Sequence, residues 1–354
     1  GRKRAGRGTA MKIGVLADPA DTCAHELAAQ IAALSARHCP VFDLSVPAGV
    51  RVEMSQSGIV WAGVELGALD KLVVAGFDIQ DPLVPRAVAS TDWSVWQIDY
   101  IVDEQRWSFV SSVLRDLERR GVLLINSWHA LQLGFAKARL LAELKRAGFL
   151  VPHWLCSNEM PVVQRFCEEQ KRVVWRPNTG RAMWQLFLDK QRLHCVDPAK
   201  PPVLIASHPE QALVRAFVCG DEVLLALNCS APHVDMFERM EEVWACDCGP
   251  VADELVSAGS RIGASWAQVL FVEQDGRPCI YDIDVDPRYG WLPPEFRAYL
   301  QIRLARKLLD MPSPGTDVLP VPARCERDSL FMRRMLVTLH EMEATKYAQD
   351  APQQ

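Results

Sequence analysis

The chain has 354 residues, 49% hydrophobic and 23% charged, with a formal net charge of −5. That length asks for two or three packed subdomains rather than one small core, and the balance is that of an ordinary soluble globular protein. The total charge does not call for nucleic acid or an anionic membrane as a partner. No run of the roughly 18–20 apolar residues needed to span a bilayer is present, and no signal-peptide pattern either, so the sequence reads as cytoplasmic. The eleven cysteines are scattered through a long chain and read as reduced, buried small hydrophobes rather than a disulfide framework. Cys246-Asp247-Cys248 has a ligand-like spacing but no second pair beside it, so zinc is not expected there.

Residues 1–10 carry a basic cluster (Arg2, Lys3, Arg4, Arg7) and read as a basic tail or remnant ahead of a natural start at Met11. An apolar run at 11–17 ends at Asp18-Pro19, and Leu27, Ile31 and Leu34 follow at helical spacing. Further apolar runs at 41–46, 58–64 and 71–75 complete a strand, helix, strand, strand pattern that predicts an open α/β domain. The aromatic-rich segment 92–111, with Trp93, Trp96, Tyr100 and Trp107, is expected to pack on that sheet. Residues 122–125 predict a strand. Asn126-Ser127 is expected to cap a helix running to about Ala147, with Gly148 just past its end and Pro152 beyond. A helix is expected over 162–168 and a strand over 172–175. Residues 202–309 are mainly strands, with helices near 250–258 and 294–309. A Pro-rich linker at 312–322 precedes an amphipathic helix over 329–347, capped by Asp328. That helix is expected to pack on its own domain or to pair with another subunit.

Three ordered segments resemble the ATP-grasp ligases. The first runs from Ile125-Asn126-Ser127 through Ala130 and Lys137 to Pro152. The second, Val214-Arg215-Ala216-Phe217-Val218-Cys219-Gly220-Asp221-Glu222-Val223, is similar to the "D-I-R-A-F-V-V-G-D-K-V" run of the ribosomal-protein glutamate ligases. The third, Tyr281-Asp282-Ile283-Asp284-Val285-Asp286-Pro287, sits where the family has "E-V-N-x-x-P". The stretch from Pro287 to Leu309, with Trp291, resembles the ATP-grasp ligases that join ribosomally made peptides into macrocycles. The resemblance implies a mixed α/β and α+β chain. Residues 1–10 are the tail, 11–122 a Rossmann-like domain, 123–202 and 203–311 the two subdomains that clamp ATP, and 312–354 the linker and helical tail.

Two acidic side chains at i and i+2 of a strand share one face, so Asp282 and Asp284 can aim two carboxylates at a Mg²⁺ held against ATP phosphates. By resemblance, Lys137 and Arg176 contact those phosphates, and Gly180 belongs to the loop that covers them. Arg215 stands near the acyl phosphate, and Arg288 meets an anionic substrate. The implied partners are a carboxylate substrate and an amine or hydroxyl acceptor, either of them on a peptide, in a monomer or homodimer. Read without the family, Lys137 is a solvated helix lysine, Asp282, Asp284 and Asp286 are a solvated edge strand or the turn before Pro287, and Arg215 is a paired charge on a sheet.

The sequence departs from the family in several places. The loop 177–184 has one glycine, where backbone N–H groups need room to approach phosphates. Arg176 replaces a lysine, and its planar guanidinium is not an ammonium point charge. Leu270 stands where the family has a metal aspartate, and Ala206 or Ser207 where it holds adenine with Glu or Gln. These departures keep three readings open. One is an ATP-dependent carboxylate–amine or carboxylate–alcohol ligase working through an acyl phosphate. Another is a catalytically degenerate module that binds a peptide, nucleotide or partner. The third is a phosphotransferase.

Overall fold

A computed structural model describes residues 11–19, 21–46, 49–76, 93–176, 178, 186–187, 202–229, 243–313 and 318–323, without the side chains of 93–100, 103, 186–187 and 229. Gly180, the basic tail and the helix expected over 329–347 lie outside the described residues.

The first third folds as β1 (Ile13–Ala17), α1 (Thr22–Ser35), β2 (Val41–Asp43), β3 (Val52–Met54), β4 (Ile59–Trp61), β5 (Val64–Glu65), β6 (Lys71–Ala75), α2 (Trp93–Arg120) and β7 (Leu123–Ile125). Strands β2-β1-β6-β7 form a parallel sheet in that order. A parallel strand covered on both faces has no solvent side, which is why all five residues of β1 are buried. Asp21 caps α1 by accepting from the Ala24 N–H. On α2, Val110, Val113, Leu114 and Leu117 recur at helical spacing and share one core with Leu16 and Leu72. Trp107 packs on that core, as expected; Trp93, Trp96 and Tyr100 lie outside the described side chains. The single strand expected over 58–64 is instead two short strands of an antiparallel sheet, β3-β4-β5, turned at Ala62-Gly63.

The middle third comprises α3 (Trp128–Phe135), α4 (Lys137–Arg146), β8 (Trp154–Ser157), α5 (Met160–Glu169), β9 (Val173–Arg176), β10 (Leu186–Phe187) and β11 (Val203–Ser207). Its sheet has the order β10-β9-β11-β8, all antiparallel, around Val163, Val173, Val203 and Ile205. The one helix expected up to Ala147 is broken at Ala136, which leaves the helical region at φ −116° and ψ 63°. Gly148 follows α4 at φ +90°, a conformation that suits a residue without a Cβ.

The last third comprises β12 (Val214–Cys219), β13 (Glu222–Cys229), β14 (Val243–Ala245), α6 (Ala252–Arg261), β15 (Trp266–Gln274), β16 (Arg277–Asp284) and α7 (Pro294–Leu308). Its antiparallel sheet runs β14-β13-β12-β15-β16. One face, with Ala216, Val218, Val269, Ile280 and Ile283, packs on Leu255 and Ala258 of α6 and on Ile262 just past its end. Helix α7 packs on α1, where Leu27 and Ile31 share a core with Phe296, Leu300, Leu304 and Leu308.

Polar contacts tie the thirds together. Lys71, buried in β6, donates to the Leu308 carbonyl at 2.7 Å and to Asp310 at 2.8 Å, so a cation meets the carbonyl end of α7. Asn126, fully buried, donates to the Trp266 and Val285 carbonyls and accepts from the Trp266 N–H. Ser127 caps α3 through the Ala130 N–H and donates to the Gly263 carbonyl at 2.9 Å. Gly263 allows that approach, because a Cβ there would stand 2.8 Å from Ser127 Oγ. The eight cysteines whose side chains are described are all free. Burial pushes the Cys219 thiol up to about 12, which suits an inert core residue. Among the described residues no helix is long and apolar enough to cross a membrane.

Candidate functional site

The face of the last sheet that points away from α6 carries the polar residues. Across β12, β15 and β16, Arg215 pairs with Leu270 and Leu270 with Asp282. In the neighbouring row Phe217 pairs with Gln268 and Gln268 with Asp284. Residues in register across antiparallel strands, and those two apart along a strand, share a face. Six residues chosen by strand alternation therefore form one surface.

Two cations from the middle third close on it. Lys137, the first residue of α4, donates through Nζ to Asp282 Oδ1 at 3.0 Å and to the Ile283 carbonyl at 3.1 Å. Arg176, the last residue of β9, donates through Nη1 to the Tyr281 carbonyl at 2.5 Å. Its Nη2 stands 3.0 Å from Asp282 Oδ2, an ion pair by distance in which Oδ2 lies outside hydrogen-bond geometry. Asp282 Oδ1 also accepts from the Ile283 N–H at 2.8 Å. Lys137 and Arg176 are each 2% exposed and Asp282 is 0% exposed, so neither the solvated-lysine nor the exposed-edge reading holds for them.

Burial alone would push the Asp282 carboxyl up, because a carboxylate loses its water. The Lys137 ammonium and the Arg176 guanidinium outweigh that and hold it below the usual carboxylate range. With all three ionised, the cluster carries one net positive charge. The break at Ala136 helps to place it. Lys137 begins a new helix, and its backbone N–H donates to the Asn178 carbonyl at 2.9 Å, which ties the start of α4 to the chain leaving β9.

The other expected site residues are placed differently. Asp284 Oδ1 accepts from the Asp286 N–H at 3.0 Å, so it shapes the turn out of β16. Asp286 in turn accepts from the Gly76 N–H at 3.0 Å, at the end of β6. Arg215 is 4% exposed and lies over the Trp291 ring, 5.5 Å from its centre. Trp291 Nε1 donates to the Arg288 carbonyl at 2.9 Å, and Arg288 Nε is buried without a hydrogen-bond partner. One indole thus touches both arginines expected near the substrate. Ala206 and Ser207 end β11, where Ser207 N–H donates to the His153 carbonyl at 2.8 Å.

Sequence reasoning missed Gln268. It is 3% exposed, and its Nε2 has no hydrogen-bond partner. The available signal was a single amide inside the apolar run Trp266–Val272.

A magnesium ion would find two carboxylates on this face, Asp282 and Asp284, and would draw its other oxygens from phosphate and water. Mg²⁺ takes a near-octahedral shell of oxygens. Here Asp282 Oδ1 accepts from Lys137 and from the Ile283 N–H, Oδ2 is buried without a hydrogen bond beside the Arg176 guanidinium, and Leu270 opposite Asp282 offers no oxygen. Among the described residues no group of three or more His, Cys, Asp or Glu converges as a metal centre.

No protein-family model and no curated protein sequence matches the chain. Solved structures do. The ATP-grasp ligase PsnB complexed with its minimal precursor superposes with a TM-score of 0.69 at 21% identity, over 85% of this chain and 99% of that one. The macrocyclase MdnC from Microcystis aeruginosa MRC, bound with precursor peptide MdnA, gives 0.65 at 16% identity over 84% and 99%. A RiPP-associated ATP-grasp ligase from Chryseobacterium gregarium, with ADP and a leader and core peptide, gives 0.62 at 12% identity over 85% and 97%. The fold of this chain is that of the ATP-grasp ligases.

Proposed function

We propose that this chain binds ATP between its middle and last thirds and uses it to activate a carboxylate, with a peptide as the substrate or acceptor. The observation that carries this reading is the convergence of Lys137, Arg176 and Asp282. They come from three segments separated by 39 and 106 residues (176 − 137 and 282 − 176), and they form one buried cluster with a surplus positive charge. A surplus cation kept out of water suits the phosphates of a nucleotide better than it suits a purely structural core. PsnB has been solved with a precursor peptide and AMPPNP, which supports peptide and nucleotide as ligands here.

In the proposed reaction a substrate carboxylate oxygen attacks the γ-phosphorus, and the bond to the bridging oxygen breaks to release ADP. The acyl phosphate then meets an amine or hydroxyl. The new C–N or C–O bond forms as the C–O bond to phosphate breaks, and the acceptor's proton passes to solvent or to the departing phosphate. Lys137 and Arg176 hold the phosphate oxygens. Arg215 and Arg288, both in contact with Trp291, face the carboxylate and acyl phosphate. Gly180 belongs to the loop over the nucleotide. A homodimer is the proposed assembly.

A second reading has its own support. Leu270 stands opposite Asp282, and the Asp282 carboxylate is already engaged by two cations, as expected of a fold that has kept its charge cluster as structure and binds a peptide without chemistry. Incubating the chain with ATP and candidate peptides, and following ADP release and product mass, separates the two. Acceptor-dependent ADP release with a mass loss of one water per bond formed supports the ligase. Peptide binding without ADP release supports the module.

A further inference from the structure

We infer that Trp291 is a positioning residue. Its ring holds the Arg215 guanidinium where a carboxylate would otherwise pair it, and so keeps that cation's N–H groups for the phosphoryl group in transit. The inference rests on the reading of Arg215 above and adds the residue through which Arg215 is set.

Arg215 differs from the other two buried cations of the site. Lys137 and Arg176 each stand 3.0 Å from an Asp282 oxygen, and each donates to a carbonyl of β16. Arg215 is 4% exposed, and among the described residues it makes no hydrogen bond and no ion pair. Its neighbours in register are Leu227 on β13 and Leu270 on β15, whose side chains offer no oxygen. The carboxylate in its row, Asp282, lies two strands away, roughly 10 Å. The paired-charge reading of the sequence therefore does not hold for Arg215.

A buried charge without a counter-ion is unfavourable unless something else meets it. Here that is the Trp291 ring, whose centre is 5.5 Å from the guanidinium carbon. A ring face attracts a cation through its quadrupole without taking up its five N–H groups as a carboxylate would. A carboxylate in the same place would also cancel the charge. The ring leaves both the charge and the donors for an arriving anion, in surroundings of low polarity where that attraction is strong.

Trp291 is itself fixed. It is 3% exposed, and its Nε1 donates to the Arg288 carbonyl at 2.9 Å. The Leu292 N–H donates to the Tyr289 carbonyl at 3.0 Å, which closes the turn around it. Arg297 of α7 donates to the Gly290 carbonyl at 3.2 Å. The indole shares a core with Phe296 of α7 and with Phe217, two residues beyond Arg215 on the same strand face. A ring held by a turn, a helix and a strand can fix a guanidinium as closely as phosphoryl transfer requires.

The test is calorimetric titration of the full chain and its variants with ADP and with AMPPNP in excess Mg²⁺, read as the ratio of the two affinities. The parent should prefer AMPPNP by about tenfold or more, because only AMPPNP carries the phosphoryl group that Arg215 meets. Arg215→Met and Trp291→Leu should each lose most of that preference. The double variant should lose no more than Arg215→Met alone, because Trp291 acts through Arg215. A tryptophan that only filled space would add its own loss. Trp291→Phe keeps a ring face and should stay within about threefold of the parent, which tests the ring even where Trp291→Leu does not fold. Parent-like preference in Trp291→Leu overturns the inference. So do additive losses in the double variant, or a Trp291→Phe variant that falls to the level of Arg215→Met. AMPPNP bound no tighter than ADP by the parent overturns the role of Arg215 and this inference with it, and leaves the nucleotide reading standing. No binding of either nucleotide overturns all three.

Discussion

The two faces of the last sheet are built from alternate residues of the same three strands, yet they obey different rules. Toward α6, Ala216, Val269 and Ile283 meet a helix that offers only apolar side chains, and the stabilisation comes from area removed from water. On the other face, Arg215, Gln268, Asp282 and Asp284 are almost as deeply buried, but each owes its place to a named partner or lacks one. The apolar face tolerates small changes of volume. The polar face tolerates no change of charge that leaves a partner behind.

That contrast is sharpest at Asp282. Asp282→Asn leaves two cations buried without their anion and should cost about 3–5 kcal/mol, read as a lower urea midpoint at unchanged slope. A variant as stable as the parent would mean that the cluster is solvated. Replacing all three members by apolar residues (Lys137→Met, Arg176→Met, Asp282→Leu) should restore most of that loss, because no charge is left unpaired. The triple variant should bind no nucleotide.

Acid should act on the same carboxylate. The folded state holds Asp282 below its ordinary value, so between the two values the unfolded chain binds more protons. Stability from this group is therefore complete above the ordinary carboxylate range, near pH 4, and is lost as pH falls through the depressed value. Unfolding followed against pH should show a shallower acid slope in Asp282→Asn than in the parent.

Arg215→Lys tests whether the second cation on this face is held by a ring. It exchanges a flat guanidinium over Trp291 for an ammonium and should cost about 0.5–2 kcal/mol. Equal thermal midpoints would remove the ring from the account. The smallest expected effect lies on the other face. Ile283→Val should cost about 0.5–1.5 kcal/mol and leave nucleotide affinity unchanged. A change in affinity there would mean that the two faces are not independent.

Much of this was legible in the sequence, and the exceptions share a cause. Apolar periodicity located β1, α1, β6 and α7 to within a few residues, because each buries a regular stripe or run. The family-like segments picked out Lys137 and Asp282, and the resemblance placed Arg176 at a family lysine position. The sequence could not show that these three are one another's partners, since pairs 106 and 145 residues apart leave no mark on local spacing. The break at Ala136 was invisible for the same reason. Gly134 lies two residues before it but still inside α3, no proline marks the break, and the contacts at Lys137 lie on β9's exit and on β16. Asn126 was read as part of a cap, whereas Ser127 does the capping and Asn126 holds β15 and β16.

Lys71 carries a consequence for the order in which the molecule can be completed. Its ammonium, buried at one end of β6, finds its acceptors 237 and 239 residues later. At the usual pace of synthesis, the ribosome delivers those acceptors roughly 10–50 s after Lys71 itself. Until then, the parallel sheet lacks the cover that α7 gives α1, and the ammonium has only water as a partner. The N-terminal third is therefore not a unit that finishes first and waits. A nascent chain arrested before residue 308 should expose the α1 stripe to proteases and chaperones, and release of the last helix should close it.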